Sequence, residues 1–341
     1  MPEEKDLERR INKMVISKII HTSNFSDILA ENLINEIYNK YPYIKREDDA
    51  NNIYWNGFTS DYIYSYKLKN NKDGTKDKIL DKEFHEIFEK NKHISKIFKN
   101  TFVLDNGPGA NPSYIDTFIL LDLNFICIIG NKQVKRPETE IKNYLEKNNI
   151  EYEEINFTHD FLFWVLWKLY NSEDISPEIS IDFFDNLRVG SSRAHNTRRD
   201  NALNSIKTEG GGQELPSLPI CYGLFNQKPL NHLKGEFIYN DKSFKFSINI
   251  SKEGETEKSD MLIYSQRSLS GLMYSDKLQL VLPFLYKLSN VVKNWENSED
   301  DKYPPIEYIE ELFENAQDEY DEMVEAYESY KENYQLKIDS D

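Results

Sequence analysis

Apolar and polar positions alternate along this chain in blocks whose periods predict both helices and strands. Leu7, Ile11, Met14, Val15 and Ile19 fall at helical spacing, as do Phe25, Ile28, Leu29, Leu33, Ile34 and Ile37, so the first forty residues read as two amphipathic helices, the second capped by Ser26 or Ser23. Ile53 to Leu68 is aromatic-rich and reads as short strands. Phe84, Ile87, Phe88, Ile94 and Ile97 predict a third helix from Asp81 to Lys99. Two apolar strands follow between Tyr114 and Gly130, joined near Asp122 to Asn124, then a helix from Pro137 to Lys147 and a strand around Tyr152 to Phe157. Phe161 to Tyr170 is apolar on all sides and reads as a buried helix, for which His159 and Asp160 provide the N-terminal cap. Strict alternation from Phe244 to Ile250 after Asn240-Asp241 predicts a hairpin, with Met261 to Tyr264 as the next strand of a meander. Ser275 to Trp295 is a helix interrupted or restarted at Pro283.

The expected fold class is therefore α+β, with mixed helices, antiparallel strands and a long acidic C-terminal helix. The Gly and Pro cluster at 105–112 suggests a boundary, giving a helical N-terminal region with short aromatic strands over 1–104, an α/β body with the meander over 105–298, and the C-terminal helix over 299–341. Leu187 to Glu214, which includes Gly210, Gly211 and Gly212, is polar and reads as a mobile loop.

In the C-terminal segment Ile306, Ile309, Phe313, Ala316, Tyr320, Met323, Tyr327, Tyr330 and Tyr334 are separated by alternating steps of three and four, the a/d spacing of a heptad. Phe313, Tyr320, Met323, Tyr327, Tyr330 and Tyr334 are the candidate partner-binding residues. The acids around this seam make two identical copies mutually repulsive, so a basic or neutral groove is the expected partner.

Charge sharpens that division. The whole chain, 341 residues long, carries a net charge of -17, yet residues 296–341 hold 17 Asp or Glu against 3 Lys, and the remaining residues are almost balanced at -3. Two basic clusters stand against this acidity, Lys132, Lys135 and Arg136 after the apolar strands, and Arg188, Arg193, His195, Arg198 and Arg199 in the polar stretch. They are the candidate nucleic-acid contacts, because Arg and Lys in exposed loops suit phosphate.

The two cysteines, Cys127 and Cys221, are far apart, the opening Met-Pro-Glu-Glu-Lys-Asp lacks a secretory pattern, and no apolar run reaches membrane-spanning length, so a cytoplasmic protein without membrane contact is expected. Its Asn, Lys and Ile content is that of AT-rich prokaryotic coding sequence, a setting in which such chains serve multi-protein systems such as genome defence.

An Asp opening an apolar strand, a second apolar strand ending in a Lys, and then a helix and a strand are similar in layout to the core of PD-(D/E)xK nucleases. That resemblance implies a Mg²⁺-dependent nuclease with Asp116 as the first acid and Lys132 or Lys135 as the lysine. Gly130 stands where the family carries its second carboxylate, two positions before Lys132. His85, Glu89 and His93 share a helix face but span too far to hold one ion, so no metal site is assigned outside the nuclease alternative.

The expected function is a non-catalytic binding or assembly subunit of an intracellular prokaryotic system. It would contact nucleic acid or a protein partner through its basic loops and acidic C-terminal helix, and would need no cofactor. The alternatives are the metal-dependent nuclease and a purely structural scaffold subunit.

Overall fold

The computed structural model describes residues 13–40, 44–47, 53–59, 63–65, 96–104, 113–120, 123–130, 135–190, 205–209, 218–225, 229–253, 256–264, 274–298 and 302–340. These residues form an α+β fold whose chain divides into two compact units. The first comprises Met1–Asn156, Tyr239–Phe246 and Ser259–Lys293, the second Phe157–Ile238, Ser247–Lys258 and Asn294–Asp341.

The first unit is an antiparallel sheet with helices on both faces. Its central strand is β1 (Lys13–Thr22). On one side β1 pairs with β7 (Phe125–Ile129), which continues outward to β6 (Ser113–Leu120), β5 (Lys96–Leu104), β3 (Ile53–Thr59) and β2 (Ile44–Glu47). The other side is shared, because β13 (Thr256–Tyr264) pairs with Lys13 to Ile16 and β8 (Tyr152–Glu154) with Ile20 to Thr22. The short β4 (Ile63–Ser65) pairs with β5. β5 and β6 run in register from Ile97↔Leu120 to Leu104↔Ser113, so the two sides of the Gly and Pro cluster belong to one antiparallel pair.

One face of this sheet presents Ile20, Ile115, Ile119, Ile126 and Ile128 to α1 (Asp27–Lys40) and α2 (Lys135–Lys147), which contribute Leu33, Ile37, Ile141 and Leu145 to the same core. Side chains alternate across a strand, so Phe125 and Cys127 face the other way. There Phe125 meets Tyr286, and Phe284 meets Tyr239 and Phe246, both from α5 (Tyr274–Glu296). Ion pairs from Lys40 to Glu140 at 2.7 Å and from Lys147 to Glu36 at 3.1 Å link α1 to α2. A tighter network, half-buried, joins Lys18 and Lys142 to Glu138 and Glu154. Burial acts to raise Glu154, yet the hydrogen bonds from Lys142 and Lys18 outweigh it and hold the carboxyl below its ordinary value.

The second unit holds β9 (Ile179–Gly190), β10 (Ser205–Glu209), β11 (Leu230–Tyr239) and β12 (Lys242–Glu253), the last two passing into the first unit, together with α3 (His159–Tyr170), α4 (Leu218–Phe225) and α6 (Ile306–Ser340). Asn240 and Asp241, with φ of 50° and 59°, adopt the left-handed backbone of a tight hairpin turn between β11 and β12. Where β11 passes β9, a Cβ on Gly235 would stand 2.6 Å from the Phe183 carbonyl oxygen, so only glycine admits that approach.

Four readings of the sequence are corrected. Residues 13–19 are strand rather than helix, because Val15, Ile16, Ile19 and Ile20 are β-branched and both neighbours of the strand are apolar. Lys96 to Lys99 belong to β5, while 81–95, with His85, Glu89 and His93, lie outside the described residues. Leu187 to Gly190 and Ser205 to Glu209 are paired arms of β9 and β10 rather than loop. The helix at Pro283 is continuous. No helix among the described residues is long and apolar enough to cross a membrane.

Candidate functional site

The second unit assembles its most distinctive surface around the root of α6. Thr158 caps α3, its hydroxyl accepting from the Phe161 amide at 3.2 Å; the cap is Thr158 rather than His159 or Asp160, which occupy the first turn. The apolar α3 presents Phe163, Trp167 and Tyr170 to Tyr308 and Leu312 of α6, with Cys221 of α4 beneath and Ala316 one turn on. The Tyr308 ring lies 5.9 Å from Phe163 and 5.2 Å from Tyr170. The entry to α6 is held by Trp295, whose Nε1 donates to the Lys302 carbonyl at 2.9 Å while the Lys302 ammonium sits over the indole.

Tyr308 is the weak point of this root. Among the described residues its buried hydroxyl has no hydrogen-bond partner, and burial, reinforced by Cys221 and Tyr170, pushes it far above the ordinary tyrosine range. Beside the root lies a cavity of about 400 Å³ with apolar walls from Phe163, Leu224, Leu230, Ile309 and Leu312 and a polar end at His159 and Asp160. The His159 Nδ1 lies 2.9 Å from the Leu230 carbonyl, so that nitrogen carries the proton and donates.

The predicted seam does not coincide with this root. Tyr308 and Leu312, which the a/d pattern omits, are 2% and 1% exposed, whereas Phe313 at 58% touches only the rim residue Phe225 among the described ring contacts. A straight helix drifts about 20° per heptad against a strict seven-residue repeat, which carries the early a positions off the docking side. The d position Ala316 and half-buried Ile309 remain on it. Beyond the root, Tyr320, Met323, Tyr327 and Tyr330 are 52%, 54%, 60% and 67% exposed, and every residue from Tyr320 to Glu332 is open to solvent. Tyr334 continues the pattern, its side chain outside the described set.

Helical geometry places the acids around this seam. At about 100° per residue, Asp318, Asp321, Glu325 and Glu332 fall on the side opposite Met323, Tyr327 and Tyr330, with Glu322 and Glu328 on the flanks between. The borders of the aromatic stripe are Glu319 at the root end, then Val324, Ala326 and Lys331.

The nuclease candidates are placed as follows. Asp116 lies on β6, 3% exposed, opposite Ile129 of β7, and α2 and β8 follow these strands in the chain. A Cβ on Gly130 would meet Ile115 at 3.0 Å, so the second-acid position admits a carboxylate only if Ile115 moves. Lys132 lies outside the described residues, and Lys135 and Arg136 open α2 with their side chains outside them. Among the described residues no three His, Cys, Asp or Glu side chains gather as a metal site.

Of the second basic cluster, Arg188 is described and Arg193, His195, Arg198 and Arg199 are not. Arg188 is half-buried on β9, donating from Nε to Asn231 at 3.2 Å and from Nη2 to Asn249 at 3.3 Å. Asn249 also accepts from His232 Nδ1 at 2.6 Å. Burial, then the Arg188 charge, lowers His232 to about 4. Nothing in the spacing of these four residues along the chain announces their meeting, since three strands bring them together.

His21 and Ser289 form a buried pair in the first unit, Nε2 to Oγ 2.7 Å. Ser289 donates its own proton to the Tyr286 carbonyl at 2.7 Å, so its oxygen accepts from the imidazole. The hydroxyl is fully buried, and the pair is a packing device rather than a nucleophile and base. Burial, then Lys293, lowers His21 to about 4.

Comparison with known proteins finds no matching family model and no matching curated sequence.

Proposed function

We propose that this chain is a binding or assembly subunit whose docking element is the outer half of α6. One observation carries the reading: a single helix is rooted through Tyr308, Leu312 and Ala316 and then continues as an aromatic stripe that nothing among the described residues covers. Large apolar side chains repeated at helical spacing and left in water mark a surface used for association. Anchoring one end of such a helix fixes the stripe relative to its unit, which reduces the ordering cost of binding.

The test compares the full chain with a chain ending at Gln317 by size-exclusion chromatography with light scattering, and by mass spectrometry of whatever co-elutes. The described residues after Gln317 leave the buried root intact, so the shorter chain keeps its fold, monitored by circular dichroism. Loss of a defined assembly or of a stoichiometric partner supports the reading; identical assemblies from both chains defeat it.

A further inference from the structure

We propose that the aromatic face of α6 beyond Ala316 pairs with the same face of a second copy of this chain; the inference rests on the assembly reading above and names its partner. The contact face is Tyr320, Met323, Val324, Tyr327 and Tyr330, large side chains at steps of three and four that share one side of the helix.

The choice of partner follows from where the charge is. A groove rimmed with Lys and Arg would suit a helix whose acids border its apolar stripe. In α6 most of the acids lie on the far side, and the stripe is bordered by Val324, Ala326, one cation, Lys331, and one acid, Glu319, beside Tyr320 at the root end. The contact therefore offers a basic groove little to pair with beyond Glu319, and an antiparallel pair holds the two Glu319 carboxylates at opposite ends.

Length and chemistry point the same way. Among the described residues the exposed large apolar side chains are Ile28 in the first unit and nine in the second, seven of them on α6. Another α6 is thus the matching surface the molecule itself supplies, and an isologous contact covers both stripes at once. The described stripe from Tyr320 to Tyr330 is about 16 Å long, about a heptad and a half of knobs-into-holes packing. With the stripes facing inward, the acidic sides point outward across two helix diameters, beyond the ~8 Å screening length at physiological salt. Residual repulsion is long-ranged, so added salt strengthens the pair.

Sedimentation velocity on the full chain tests this. Between about 1 and 100 µM protein, a monomer–dimer equilibrium is expected that tightens from about 0.05 M to about 0.5 M salt. Tyr327→Glu, at an exposed position that does not support the fold, is expected to weaken it at least about tenfold. Glu325→Gln, on the acidic side, leaves it equal or stronger. A chain monomeric throughout, a dimer insensitive to Tyr327→Glu, or a dimer that loosens with salt overturns the inference. If the chain is monomeric and Tyr327→Glu instead releases a co-purifying partner, the second copy is the wrong occupant and the docking reading stands. If neither association changes, both fall.

Discussion

The two halves of α6 share one sequence pattern and have opposite fates. From Tyr308 to Ala316 the helix buries Tyr308 and Leu312 against α3 and α4; from Tyr320 to Glu332 it repeats the same alternation of large apolar and acidic residues with every position exposed. Amphipathic spacing thus specifies that a helix has a face to cover, and only the tertiary contacts specify what covers it.

The largest way to break the comparison is Leu312→Ala. Removing a fully buried leucine from the root is expected to cost about 3 kcal/mol, read as a lower denaturation midpoint at unchanged slope. Acid provides a second lever, acting on the units rather than the outer half. His21 falls from its ordinary 6.5 to about 4 on folding, so the unfolded chain binds the extra proton between those values. Stability is complete above pH 6.5 and declines toward pH 4, by up to about 3 kcal/mol for this histidine, with His232 adding the same sign in the second unit. Urea titrations at successive pH values measure the slope, and His21→Phe should flatten it.

Tyr308→Phe sharpens the picture in the opposite direction. It removes a buried hydroxyl that finds no acceptor among the described residues while keeping the ring between Phe163 and Tyr170, so the root should gain up to about 1 kcal/mol, seen as a raised melting temperature. The smallest effect is Tyr327→Ala, which should change the stability of the monomeric chain by no more than about 0.5 kcal/mol, measured by denaturation at low protein concentration.

Much of the framework was legible because its signals are local. The paired strands before Gly130, the helix ending at Lys147, the all-apolar α3, the tight turn at Asn240 and Asp241, and the long closing helix each follow from spacing or turn chemistry within a dozen residues. β1 was misread because Met14, Val15 and Ile19 fit a helical period, and the β-branching of its neighbours decides the matter only once two flanking strands are known. The root of α6 was missed for a geometric reason, since an ideal heptad assumes a supercoil that a helix docked on a globular unit does not adopt. Arg188, Asn231, His232 and Asn249 are separated by up to 61 residues and share hydrogen bonds only through strand pairing.

Cys127 and Cys221 sit one in each compact unit, both fully buried, and burial raises both thiols, Cys221 to about 12. Since alkylating reagents consume the thiolate, neither sulfur reacts until its surroundings open. The chain therefore carries its own pair of clocks: the two labelling rates, resolved by peptide mapping, time the opening of β7 and of the α6 root independently and without any engineered probe.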